Sequence, residues 1–183
     1  MRQYTIAVVV GSLRKDSFNR QLATALARLA PQEFTFKLIG IDGLPLYNQD
    51  DDSNPAPAVV AFKESIKAAD GLLFVTPEYN RSIPGVLKNA LDQASRPYGQ
   101  SVWGGKPGAV VGISIGTSGT ALAQQHLRNI LAYLDVAIMG QPEIFLQNKE
   151  GFFDADGNIG AGSKEFLQGW MDRFVAWIKR HVD

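Results

Sequence analysis

The sequence predicts one α/β domain over residues 1–183, a three-layer sandwich whose parallel sheet has five strands in the order 2-1-3-4-5. Three observations lead there. Short apolar runs, several of them β-branched, read as strands buried on both faces. They alternate with stretches whose apolar residues recur at helical spacing, the pattern of right-handed βαβ units. Polar clusters follow the strands directly, where open α/β sheets carry their ligands. A length of 183 residues fits a single domain.

Tyr4 to Val10 is the most apolar run and reads as the central strand. Phe18, Leu22, Ala25, Leu26 and Leu29 stripe a first helix that stops before Pro31. Phe34, Phe36 and Leu38 alternate with polar residues, as expected of a half-covered strand nearer an edge. Val59, Phe62, Ile66 and Ala69 give the second helix, and Gly71 to Thr76 the third strand. Pro84 opens a helix carrying Leu87, Ala90, Leu91 and Ala94 that stops before Pro97. Tyr98 to Lys106, with Trp103 and three glycines, is long for a connection and reads as a lid or an interface segment. Ala109 to Ile113 is strand four, and Leu122, Leu127, Ile130, Leu131 and Leu134 stripe the next helix. Val136 to Met139 and Ile144 to Leu146 supply strand five, interrupted at Gly140 and Pro142. Asp156-Gly157 suggests a small hairpin between Phe152 or Phe153 and Ile159. Phe166, Leu167, Trp170, Phe174, Trp177 and Ile178 stripe a closing helix.

Composition excludes several chemistries. Eighteen basic residues balance eighteen acidic ones, so the footprint of a nucleic-acid binder is missing. The chain has no cysteine, which removes disulfides, thiol nucleophiles and Cys-ligated metal centres; its two histidines, His126 and His181, are too few for a multi-His site. Redox chemistry would need a bound cofactor. No apolar stretch reaches membrane-spanning length and the first run, Ile6 to Val10, is shorter than an export signal, so the expected location is the cytoplasm.

Three loops at the switch of strand order carry the polar groups. The first, Gly11 to Asn19, offers hydroxyls at Ser12 and Ser17, an amide at Asn19 and a guanidinium at Arg14 ahead of a helix N-terminus. These are phosphate donors. With neither G-x-G-x-x-G nor G-x-x-x-x-G-K-[ST], a terminal monophosphate fits better than a pyrophosphate or a nucleoside triphosphate. The second loop, Pro77-Glu78-Tyr79-Asn80-Arg81-Ser82-Ile83-Pro84-Gly85, sets an aromatic ring and backbone amides between stiffening prolines, suited to the edge of a planar heterocycle. The third runs from Ser114 to Gly119.

These residues resemble the NAD(P)H-dependent FMN reductases of flavodoxin-like fold, which include bacterial quinone and chromate reductases and related azoreductases. Gly11-Ser12-Leu13-Arg14 with Ser17 and Asn19 is similar to that family's FMN-phosphate loop. Pro77-Glu78-Tyr79-Asn80, followed by Ser82, Pro84, Gly85, Lys88 and Asn89, is similar to its isoalloxazine loop. The resemblance implies that Ser12, Arg14, Ser17 and Asn19 hold the phosphate and that Pro77, Glu78, Tyr79 and Asn80 line the ring. By position after strand four, Ser114, Gly116 and Thr117 then serve its pyrimidine side. It further implies FMN as cofactor, NADPH or NADH as electron donor, and a quinone as acceptor, with flavins, azo compounds or chromate as side acceptors. No side chain acts as the catalytic group, because the flavin itself passes the two electrons. The implied assembly is a homodimer or homotetramer with two subunits shaping each pocket. Arg81 sits at a variable position of the motif and inherits no role.

Two other readings compete. Gly112-Ile113-Ser114-Ile115-Gly116 matches the G-x-S-x-G nucleophile elbow, and Asp154, Asp156 or Asp172 followed by His181 preserves the hydrolase order. Against it, Thr117 to Thr120 delays the helix that should begin at the serine, and no HGGG-type segment is present. A flavodoxin-type electron carrier would share the fold, but its acidity is missing. Asp154, Asp156, Asn158 and Glu165 fall at calcium-loop positions, yet Ile159 replaces the required glycine.

Overall fold

A computed structural model describes residues 2–183. Strand β1 (Tyr4–Val10) lies between β2 (Phe34–Ile39) and β3 (Gly71–Val75), followed by β4 (Pro107–Ser114). All pairings are parallel and the order is β2-β1-β3-β4-β5, with β5 formed by Ala137–Ile138. The fully apolar runs became the interior strands: every residue of β3 is buried, whereas β2 alternates between covered and open positions. That alternation marks an edge strand.

Strand five is split. β5 (Ala137–Ile138) pairs with Pro107 and Gly108, and β6 (Phe145–Gln147) pairs with Gly112 to Ser114. The bend between them, Gly140 to Pro142, leaves both pieces along the same side of β4.

Helices α1 (Phe18–Ala27) and α5 (Ala161–Val182) cover one face over Ile6, Val8, Leu73, Val111, Leu22, Leu26, Trp170 and Phe174. Helices α2 (Pro57–Lys67), α3 (Gly85–Ala94) and α4 (Ala121–Tyr133) cover the other over Ala7, Val9, Phe74, Phe62, Leu87, Leu91, Leu127 and Leu131. Each fully buried Leu, Ile or Phe contributes about 1.5 to 3 kcal/mol, so both layers hold the sheet by apolar burial. Pro84 stands at the N-cap of α3, one residue before the first helical turn.

The 98–106 loop is not a lid along its whole length. Trp103 is fully buried, its indole nitrogen donates to the Leu91 carbonyl at 3.0 Å, and its ring lies edge-on to Phe62. An indole buries a large apolar area once its one polar atom is satisfied. Tyr98 at the other end is exposed. Among the described residues, no helix is long and apolar enough to cross a membrane.

Candidate active site

The C-terminal ends of β1, β3 and β4 are neighbours, which brings the three polar loops to one edge of the sheet. Their roots are joined by the ladder: the Gly11 amide donates to the Val75 carbonyl at 2.9 Å, and the Thr76 amide to Val111 at 2.9 Å. Gly112 is required here. A Cβ on it would run into the Thr76 carbonyl and the Thr120 hydroxyl, because β3 and the start of α4 close on it from both sides. The glycine of the G-x-S-x-G match is thus explained by packing.

In the first loop, Ser17 caps α1 by accepting from the Arg20 amide at 3.3 Å, and the Ser12 hydroxyl accepts from the Arg14 amide at 3.4 Å. Both side chains are buried, and among the described residues neither donates its own hydroxyl proton. A hydroxyl that accepts without donating keeps an O–H free for an anion. Arg14 is exposed and folds over its own loop, bonding the Asp16 carbonyl with its guanidinium 4.8 Å above the Phe18 ring. Asn19 faces inward: its amide donates to the Ile113 carbonyl at 2.9 Å and its carbonyl accepts from the Ile113 amide at 3.0 Å. This two-point strap fastens both ends of the side-chain amide to the backbone of β4 and fixes the loop there.

The second loop is a two-residue hairpin. Tyr79 and Ser82 exchange both backbone bonds, at 2.9 and 3.0 Å, around Asn80 (φ 51°) and Arg81 (φ 66°). Such turns need left-handed backbone at both central positions, natural for Asn and costly for Arg. Tyr79 is half exposed, at 53%, and Asn80 and Arg81 stand in solvent. The Glu78 carboxylate turns to α4, accepting from the Leu122 and Ala123 amides at 3.0 and 3.1 Å. Ser82 meets His126 Nδ1 at 2.9 Å. Asn89 of the same motif holds a further segment in place, donating to the Pro45 carbonyl and accepting from the Tyr47 amide, both at 2.8 Å.

The third loop begins at Ser114, the last residue of β4, whose hydroxyl donates to the Gly116 carbonyl at 3.3 Å. Gly116 and Thr117 are exposed, as is Ile115 at 75%. The hydrolase geometry is missing. Helix α4 starts only at Ala121, and His181 is engaged with the Trp177 carbonyl at the end of α5. In the 154–158 turn, the Asp154 carboxylate accepts from the Asp156 and Asn158 amides at 2.9 and 2.8 Å. Those bonds, the Asn158 amide first, hold it below the usual carboxylate range. The acidic cluster is therefore a turn stabilised by its own backbone.

Three contributors were not legible as site residues: Thr76, His126 and Gln124. Thr76 is buried where the first two loops part and donates to the Pro77 carbonyl at 2.7 Å. Gln124 is buried behind the third loop and donates to Thr120 and to the Ile144 carbonyl. Nothing in their neighbours along the chain announces these partners.

Comparison with known proteins gives a consistent result. The sequence pattern of the family described as NADPH-dependent FMN reductase matches residues 4–151. The chain is 61% identical over 175 residues to a 2-hydroxy-1,4-benzoquinone reductase of Burkholderia sp, covering 95% of this chain and 96% of that one. It is 48% identical over 177 residues to a quinone reductase of Pseudomonas putida, covering 96% and 95%. Among solved structures, the flavoenzyme NAD(P)H:(acceptor) oxidoreductase FerB of Paracoccus denitrificans superposes with a TM-score of 0.93 at 46% identity, over 97% of this chain and 98% of that one.

Proposed function

This chain belongs to the NADPH-dependent FMN reductase family, and from that premise we propose that it reduces quinones with electrons from NAD(P)H, holding FMN across its three loops. The observation that carries the placement is the pair of buried hydroxyls, Ser12 and Ser17, whose O–H donors are unspent at the N-terminus of α1. Together with Arg14 they form a donor set for a dianionic monophosphate, reinforced by the helix dipole. Next to them, the backbone N–H groups of Glu78, Asn80 and Arg81, which the Tyr79–Ser82 pair does not use, the half-exposed Tyr79 ring and the apolar Ile115 suit a planar ring with one polar edge.

FMN, when bound, would supply two-electron redox chemistry between NAD(P)H and the acceptor. The chain's own work is binding and orientation. Ser12, Arg14 and Ser17 hold the phosphate; the strapped Asn19 fixes their loop; Pro77, Glu78, Tyr79 and Asn80 line the ring. Ser114, Gly116 and Thr117 close the pyrimidine side. Flavins, azo compounds and chromate are proposed as further acceptors. The need for NAD(P)H supports a cytoplasmic location. The exposed Tyr98, Tyr133 and Leu46 favour a homodimer or homotetramer whose second subunit completes each pocket.

Purified protein is expected to carry an FMN absorption spectrum, to oxidise NAD(P)H when a quinone is supplied, and to sediment at a multiple of 19.9 kDa. Protein that is colourless and stays so with added FMN overturns the proposal.

A further inference from the structure

We infer that Glu78 is a positioning residue: by capping α4 from a different loop, its carboxylate sets the conformation in which residues 77–82 meet the flavin ring. The inference rests on the FMN reading above and goes beyond it in assigning this side chain a task other than contact with the ring.

The second loop has little to hold its own shape. Proline fixes φ at positions 77 and 84. Between them, the hairpin's internal bonds are the two exchanged by Tyr79 and Ser82, set against the cost of a left-handed Arg81. Its root is held by the Thr76 hydroxyl on the Pro77 carbonyl and its exit by the buried Ile83, and among the described residues two side-chain ties fasten the hairpin itself to another element. Glu78 Oε2 accepts from the Leu122 and Ala123 amides, and Ser82 meets His126, so both ends of the hairpin are fastened to α4.

Helix α4 needs that carboxylate as much as the loop does. Its N-cap, Thr120, has φ 72° and makes no side-chain cap; the Thr120 hydroxyl is taken by Gln124. First-turn amides without a partner are costly, and a negative charge is favoured at a helix N-terminus. Glu78 supplies both the acceptor and the charge. The body it docks on is firm: a Cβ on Gly119 would collide with the Phe145–Leu146 backbone, Gln124 donates to the Ile144 carbonyl, and Leu127 and Leu131 are fully buried. The ring loop therefore takes its position from α4 and β6, while the phosphate loop takes its position from β4 through Asn19.

The two straps make separable demands on a ligand series. Glu78→Ala should weaken FMN and riboflavin by the same factor, about tenfold, because charge-assisted bonds to helix-terminal amides are lost and only the ring site suffers. Glu78→Gln, which keeps an oxygen for the two amides, should stay within about threefold of wild type. The binding readout is quenching of flavin fluorescence. In ligand-free Glu78→Ala, hydrogen exchange at the Leu122 and Ala123 amides should accelerate, and in its FMN complex the flavin midpoint potential should shift while that of Glu78→Gln does not. Should Glu78→Ala fail to fold, Glu78→Asp replaces it: the shorter side chain keeps the charge but not the reach, and must bind riboflavin less well than Glu78→Gln. Wild-type riboflavin affinity in Glu78→Ala, or equal losses in the Ala and Gln variants, overturns the inference. Wild-type protein that binds neither flavin overturns the FMN reading itself, a separate outcome.

Discussion

The two ends of the sheet solve the same problem in opposite ways. At the N-terminal end of the strands, charges are matched between elements. Arg2 pairs with Asp70 and Asp183 at 3.2 and 3.1 Å, Lys179 with Glu33 at 2.9 Å, and the Tyr4 hydroxyl donates to Asp183 at 2.7 Å. At the C-terminal end, polar side chains bind backbone: Asn19 to Ile113, Glu78 to Leu122 and Ala123, Thr76 to Pro77. Among the described residues, Arg14 and Arg81 have no carboxylate within ion-pair distance. One end is electrically closed. The other spends its acceptors on its own backbone and keeps guanidinium and hydroxyl donors, which is what an anionic cofactor requires.

The contrast can be broken most severely at Gly112. Gly112→Ala forces a methyl against the Thr76 carbonyl and the Thr120 hydroxyl, and is expected to cost about 3 kcal/mol in denaturant unfolding. Wild-type stability in that variant would mean that the loop roots are not closed as described. Arg14→Ala comes next. It should weaken FMN by about 1.5 to 3 kcal/mol with stability retained, and leave riboflavin unchanged, because only the phosphate is deprived. Equal losses for the two ligands in calorimetric titration would remove the phosphate assignment. The smallest effect belongs to the closed end. The Lys179 hydrogen bond holds the Glu33 carboxyl below its usual range. A carboxylate depressed on folding stabilises above its unfolded pKa, and that contribution is lost as pH falls through the folded value. Thermal unfolding should therefore show stability falling on acidification through the carboxylate range, with a shallower fall in Glu33→Gln. Riboflavin binding by Glu33→Gln at neutral pH should match wild type; a loss there would mean that the two ends are not independent.

The interior of the fold was legible because burial on both faces leaves a plain mark. Val8, Val9 and Val10, or Leu72, Leu73 and Phe74, have no polar neighbour to confuse the reading. Strand five was legible only as two apolar pieces. Ala137–Ile138 and Phe145–Gln147 are too short to carry a period, and what makes them strands is the free side of β4. Trp103 in a glycine-rich loop looked like surface; its burial follows from a space between Phe62 and Phe74 that no local pattern reveals. The site shows the same division. Residue types pointed to three loops that the fold brings together, but Asn19 and Glu78 take partners 94 and 44 residues away, and those partners are main-chain groups carrying no signature of their own. The G-x-S-x-G match erred for a related reason, since Gly112 answers to crowding from Thr76 and Thr120.

The Asn19 strap also has a consequence in time. Its partner backbone lies 94 residues downstream, so a chain growing from its N-terminus carries Ser12, Arg14 and Ser17 long before anything can brace them. Over that interval α1 has only its own turns and the early strands to lean on, and an isolated helix of ten residues is marginal in water. On the proposed placement of FMN, cofactor retention would begin as a late event of synthesis, when the segment ending at Ser114 has emerged and settled beside β3. A nascent protein stalled before that point would carry the whole Gly11 to Asn19 loop with its strap still unmade.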